Sequence, residues 1–211
     1  MPESQRLWYA EVITEETKRA LEALVRTSLL GSFYLAGGTG LALHLGHRRS
    51  KDLDLFSEGM FESNRLIDKL GVLTDLLVVA EGEGTLHLNL EETKVSFLNY
   101  PYPLLFAPKS FLGVSVADPR DIGCMKLSAI ASRGSKRDFI DLHVVAGRYG
   151  LRQVLEWFKE KLPRARYSRV HLLKSLTYFD DADCEPMPDM LAPVKWDEVK
   201  RFFSTEAPKL L

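Results

Sequence analysis

The chain has 211 residues, of which 45% are hydrophobic and 27% charged, with 28 Lys plus Arg against 29 Asp plus Glu. That composition fits one or two folded domains and excludes wholesale disorder, while a net charge of −1 leaves no whole-molecule field to gather nucleic acid or anionic lipid, so any polyanion contact must be a local patch. Cys124 and Cys184 are too few for a disulfide framework, the polar stretch from Met1 to Glu16 has no apolar signal core, and no apolar run approaches the roughly 20 residues of a membrane span, so a cytoplasmic protein with no membrane partner is expected.

In chain order, the first periodic segment runs from Thr14 to Leu30. Ala20, Leu21, Leu24, Val25 and Leu29 recur at helical spacing behind Thr14, an N-cap residue followed by Glu15 and Glu16 in the positive first turn. Phe33 to Ala36 is a short apolar strand that stops at Gly37-Gly38-Thr39, after which Leu41, Ala42 and Leu45 predict a short helix. Basic residues from His47 to Lys51 lead into Asp52-Leu53-Asp54-Leu55-Phe56, whose alternation predicts a strand with acidic and apolar residues on opposite faces.

Phe61 to Leu70 reads as a helix, and Leu76 to Ala80, Thr85 to Leu90 and Lys94 to Asn99 as strands, the last two joined into a hairpin through Glu91-Glu92-Thr93. The α+β core is expected to end near Phe111. Asp118-Pro119 then starts a helix, with Asp118 as N-cap and proline at the first helical position. Further helices are expected from about Ser135 to Tyr149, closed by Gly150, and over Leu151 to Lys161, Ser168 to Phe179 and Trp196 to Phe203, with Asp180 to Pro193 a loop. The expected division is a core over residues 1–115 and a helical region over 116–211, packed on it.

Asp52 and Asp54, two apart on a strand, project from one face with Cα atoms roughly 6.5 Å apart. Two carboxylates at that spacing can hold Mg²⁺, as phosphoryl and nucleotidyl transfer require, although a bare D-x-D is more often a solvated strand face. The upstream Gly37-Gly38-Thr39 adds a glycine turn at a helix start, whose backbone N–H groups can hold phosphate. On the helix after Asp118, Lys126 and Arg133 share a face with Ile122, Met125, Ala129 and Ile130. Lys126 therefore either snorkels to water or reaches as a cation into a cleft. The five histidines show no metal-ligand spacing with the cysteines, and Lys161, Arg164, Arg166, Arg169 and Lys174 form either a solvated face or a patch for an RNA backbone.

The segment Leu35 to Phe56, LAGGTGLALHLGHRRSKDLDLF, resembles the DNA polymerase β-like nucleotidyltransferase superfamily, and more narrowly the AbiEii/AbiGii-type toxin nucleotidyltransferases of abortive-infection and toxin–antitoxin systems. Their R-x-S-x-D-x-D-[LF] is matched by Arg48, Ser50, Asp52, Asp54 and Leu55. A later block, a Lys-bearing helix followed by R-D-[FL]-x-D-L, is matched by Lys126, Arg137, Asp138, Phe139, Asp141 and Leu142. The resemblance covers residues 14 to 150. It implies a nucleotidyltransferase fold, a mixed sheet flanked by helices with a helical C-terminal part, and Mg²⁺- or Mn²⁺-dependent transfer of a nucleotidyl group from a nucleoside triphosphate to an acceptor such as tRNA, with the protein as the toxin of a pair that includes an antitoxin.

By that resemblance Asp52, Asp54 and Lys126 are catalytic, the two aspartates hold metal, and Gly37, Gly38, Thr39, Arg48, Ser50, Arg137 and Asp138 bind nucleotide. One departure stands out: where many superfamily members carry a third carboxylate on a neighbouring strand, Lys94-Val95-Ser96-Phe97-Leu98 offers Ser96. A hydroxyl is a poor metal ligand and a poor base beside a carboxylate, so either Glu91, Glu92 or an acidic residue of the second block substitutes, or the base is dispensable because metal activates the acceptor hydroxyl. A non-catalytic nucleotide- or RNA-binding protein that kept the fold, and modification of a protein or small-molecule acceptor, are the competing readings.

Overall fold

The structure, a computed structural model, describes residues 7–163 and 168–210. The chain divides into two compact units, Met1–Asp118 and Pro119–Leu211.

The first unit is α+β. Helix α1 (Glu15–Arg26) starts where Thr14 Oγ1 accepts the Thr17 N–H at 3.2 Å, the cap its sequence predicts. Strand β1 (Tyr34–Leu35) runs into α2 (Gly37–Leu45), and β2 (Leu53–Ser57) follows. After α3 (Ser63–Leu70) come β3 (Leu76–Gly82), β4 (Thr85–Leu90) and β5 (Thr93–Asn99). The hairpin expected between β4 and β5 forms with Glu91 in the left-handed region at φ 52°. Two three-residue strands, β6 (Lys109–Phe111) and β7 (Val114–Val116), extend the sheet past the end expected near Phe111. They turn through Leu112-Gly113, with φ values of 48° and 90°.

These strands form one seven-stranded sheet in the order β3-β4-β5-β2-β1-β7-β6. β2 runs parallel to β5 and β1 parallel to β7; the remaining pairs are antiparallel, so the sheet is mixed, as expected. Alternation gives it two unlike faces. Leu53, Leu55, Leu86, Leu88, Val95 and Phe97 are buried with Leu21 and Leu24 of α1 and Leu66 and Leu70 of α3. Each fully enclosed leucine contributes about 1.5–3 kcal/mol. The opposite face carries Asp54, Phe56, His87, Ser96 and Leu98, all half-buried, and the polar residues collect there.

The second unit is helical. α4 (Pro119–Ser132) begins at the proline, as expected, and α5 (Lys136–Tyr149) begins where Ser135 Oγ accepts the Asp138 N–H. α6 (Leu151–Lys161), α7 (Arg169–Ser175) and α9 (Trp196–Glu206) follow the expected helical patterns. Asp180 to Pro193, expected as loop throughout, opens with a short helix, α8 (Asp180–Asp183). Phe139 lies within 6 Å of Phe179, Trp196 and Phe203, ring centroid to ring centroid, and anchors this unit's core. Cys124 is fully buried on α4, and burial pushes its thiol up to about 12. Among the described residues no helix is long and apolar enough to cross a membrane.

Candidate active site

Strand β1 ends at Ala36, which enters α2 directly: Ala36 O accepts the Gly40 N–H at 2.9 Å, and Ala36 N–H donates to Asp54 O at 3.0 Å. The helix N-terminus is thereby fixed beside β2. Gly37 sits at φ 60°, a conformation that costs an L-residue roughly 1–2 kcal/mol. A Cβ at this position would overlap the Asp54 carboxylate, with Asp54 Cβ and Cγ each only 3.1 Å away. A Cβ on Gly38 would strike the Arg48 guanidinium and come within 3.4 Å of Ser50 Oγ. The Thr39 hydroxyl bonds the Ser50 hydroxyl at 2.8 Å and also the Asp52 carbonyl.

Three consecutive turn residues therefore interlock with Arg48, Ser50, Asp52 and Asp54. The two glycines are required by the close approach of the Asp54, Arg48 and Ser50 side chains. Thr39 is 1% exposed and Arg48 4%, and Arg48 Nη1 donates to Arg49 O at 3.0 Å. Both were expected to bind nucleotide. Both are enclosed in the turn.

Asp52 lies one residue before β2, where the sequence places it on the strand, and Asp54 is the strand's second residue; both are half-buried. Two hard oxygen donors beside an amide-lined turn suit Mg²⁺, which is commonly held by one or two carboxylates while substrate phosphates and water complete its octahedron. The residues thus fit the metal that the resemblance implies. No group of three or more His, Cys, Asp or Glu side chains able to hold a metal occurs among the described residues. Ser96 lies directly opposite Asp54 in the parallel β2–β5 pairing, the neighbouring-strand position at which a third carboxylate was sought.

The residues of the second block come together in their own unit. Lys126 Nζ on α4 meets Asp138 Oδ1 at 2.8 Å and Asp141 Oδ2 at 2.6 Å, both on α5. Asp138 also accepts from Arg133 Nε at 2.8 Å and from Ser135 Oγ at 2.8 Å. Burial opposes ionisation of Asp138, but Lys126 and Arg133 outweigh it and hold the carboxyl down at about 2. Lys126 is 6% exposed and Asp138 1%. The lysine does not snorkel; its ammonium is clasped by two buried carboxylates. Arg137, by contrast, is exposed on α5.

Two buried cations were not anticipated. Lys161, read from the sequence as part of a basic patch, is fully enclosed and pairs with Asp121 at 2.7 Å. A lysine so buried must be paired to stay charged, and it leaves the patch; Arg164 and Arg166 lie outside the described residues. Lys136 is also buried, its ammonium donating to Glu185 O and lying 5.2 Å from the Trp196 ring centroid. Their partners lie some 40 and 49 residues away in sequence, so no local pattern announces them.

A mixed sheet with a glycine turn beside a D-x-D strand is the arrangement that the resemblance to nucleotidyltransferases implies. Residues 19–101 match the family described as nucleotidyl transferase AbiEii toxin, type IV TA system. The uncharacterized protein aq_aa25 of Aquifex aeolicus is 37% identical over 208 residues, covering 94% of this chain and 98% of that protein. Two solved structures share the fold. JHP933 from Helicobacter pylori has a TM-score of 0.55 at 16% identity, covering 94% of this chain and 93% of its own. MenT4, a nucleotidyltransferase toxin from Mycobacterium tuberculosis H37Rv, has a TM-score of 0.55 at 17% identity, covering 94% and 87%. The AbiEii nucleotidyl transferase likeness covers residues 19–101, and the Aquifex relative extends over nearly the whole chain.

Proposed function

We propose that this nucleotidyltransferase transfers a nucleotidyl group from a nucleoside triphosphate to an RNA 3′ hydroxyl, with tRNA as the acceptor class, as the toxin of a pair whose antitoxin is a second protein, and that it works in the cytoplasm. The observation that carries the reading is the interlock of Gly37, Gly38 and Thr39 with Arg48, Ser50, Asp52 and Asp54. It sets the Asp54 carboxylate beside a helix N-terminus, with Asp52 two residues earlier on the chain, and a carboxylate and an amide-lined helix end are the two kinds of group a triphosphate with its cation demands.

Gly37 and Gly38 bind phosphate through backbone N–H groups, whereas Thr39, Arg48 and Ser50 fix the turn. Asp52 and Asp54 would hold Mg²⁺ or Mn²⁺, which when bound supplies charge neutralisation at the transferring group. In the second unit, Asp138 and Asp141 hold the Lys126 ammonium at a fixed point on α4, making it a positioned charge instead of a mobile arm. Arg137 is the exposed guanidinium suited to phosphate. The family and the MenT4 likeness support a toxin role, and a toxin implies an antitoxin. Incubation with labelled nucleoside triphosphates, Mg²⁺ and total RNA tests the reading, with label expected at RNA 3′ ends.

One observation favours a second reading. With Ser96 opposite Asp54 and no cluster of three acidic or imidazole groups among the described residues, the fold could bind nucleotide without transferring it. Triphosphate binding in calorimetry without labelling of any acceptor would decide for that alternative.

A further inference from the structure

The strand register that puts Ser96 opposite Asp54 on β5 also puts His87 opposite Ser96 on β4. Residues paired across a ladder point to the same side, about 5 Å from one strand to the next. Asp54, Ser96 and His87 therefore form one row on the sheet's open face, all half-buried. His87 Nδ1 and Ser96 Oγ are hydrogen-bonded at 3.0 Å. On the far side of His87, β3 presents Ala80, which carries no charge; among the described residues of the neighbouring strand segments, the charged groups on this side are Asp52, Asp54 and Lys94.

We propose that the Ser96–His87 pair does the proton work of the absent third carboxylate, with Ser96 meeting the acceptor hydroxyl and His87 acting through it as the base. The proposal rests on the nucleotidyl-transfer reading. A serine alone cannot keep a proton taken from an alcohol, because its hydroxyl is no more basic than the alcohol. A serine whose own proton is shared with an imidazole can pass one on. As the acceptor oxygen bonds to the α-phosphorus and the bond from that phosphorus to the bridging oxygen of the β-phosphate breaks, the acceptor proton moves to Ser96 Oγ and the Ser96 proton to His87 Nδ1. Pyrophosphate departs with the electron pair of the broken bond. The resulting imidazolium then returns its proton to water on the half-exposed face.

A base placed in this way contributes about 100-fold or more to the rate. A cross-strand serine–histidine pair that served only the sheet would add slightly to stability and nothing to transfer. His87→Gln and Ser96→Ala should each slow labelling of RNA about 100-fold while affinity for a non-hydrolysable triphosphate stays within about two-fold. Because the imidazole must be neutral to accept the proton, the acid limb of the wild-type rate–pH profile should vanish in His87→Gln.

The discriminating variant is Ser96→Asp, which puts a carboxylate where the hydroxyl stood. Its rate should no longer depend on His87, so Ser96→Asp/His87→Gln should be as fast as Ser96→Asp. Thermal melting of each variant checks the fold. Wild-type labelling together with an unchanged rate and pH profile in His87→Gln, or a Ser96→Asp enzyme that still needs His87, overturns the proposal and leaves the nucleotidyl-transfer reading standing. Wild type that binds triphosphate but labels nothing overturns that reading, and this one with it.

Discussion

Gly37 is the point at which the turn and the aspartate strand meet most closely, and replacing it with alanine tests the interlock. Two costs follow from the structure. At φ 60° an alanine pays roughly 1–2 kcal/mol for the left-handed conformation, which for a chain of this size lowers the melting temperature by about 2–8 °C. The new Cβ also lies 3.1 Å from Asp54 Cβ and Cγ, against the roughly 3.5–4.0 Å of an ordinary carbon contact. The whole Asp54 side chain must therefore move by about 0.5 Å or more, and its carboxylate further. A ligand misplaced on that scale costs up to about 100-fold in rate. Gly31→Ala is the control, because no atom lies within 4 Å of the added carbon. Differential scanning fluorimetry and the labelling assay, run on both variants, should show loss of stability and rate in Gly37→Ala alone. A Gly37→Ala protein with wild-type melting and wild-type transfer would refute the interlock.

Asp52→Asn and Asp54→Asn should each abolish transfer while melting within about 2 °C of wild type, since both side chains sit on the half-exposed face and not in the core; Mg²⁺ titration monitors the lost affinity. Lys126→Met should destabilise the protein by about 3–5 kcal/mol, because it leaves Asp138 and Asp141 buried with one cation fewer; urea denaturation measures this, and a loss below about 1 kcal/mol would show that the clasp is dispensable. The Asp138 carboxyl, lowered from 3.8 to about 2 in the folded protein, contributes about 2 kcal/mol that is fully present above pH 4 and disappears as the pH falls through about 2. Denaturation series between pH 5 and pH 2 should show this loss in wild type and a smaller one in Asp138→Asn.

The turn and strand that make the candidate site were legible because their determinants are local. Gly-Gly-Thr ends a strand, and Asp52 to Phe56 alternates with period two, so the spacing alone places amides near carboxylates. The Ser96–His87 pairing was not legible: the three-residue connection expected, Glu91 to Thr93, would put His87 opposite Phe97, whereas the two-residue turn that forms pairs Leu90 with Thr93 and His87 with Ser96. The parallel register that adds Asp54 to the row comes from packing between distant segments and has no local signal. β6 and β7 escaped notice because three residues are too few to show alternation. Lys161 was misread for a related reason. On α6 it looks like one more solvated cation, and only the fold brings Asp121 to it.

The central claim is that the Gly37–Gly38 turn and the Asp52–Asp54 pair support nucleotidyl transfer to RNA. Its most direct test incubates the purified chain with each of the four α-labelled nucleoside triphosphates, Mg²⁺ and total cellular RNA, with Asp54→Asn alongside. The account predicts label on RNA 3′ ends, lost on chelation of the metal and absent from Asp54→Asn. Absence of labelled RNA with all four nucleotides, or labelling by Asp54→Asn at the wild-type rate, would contradict it.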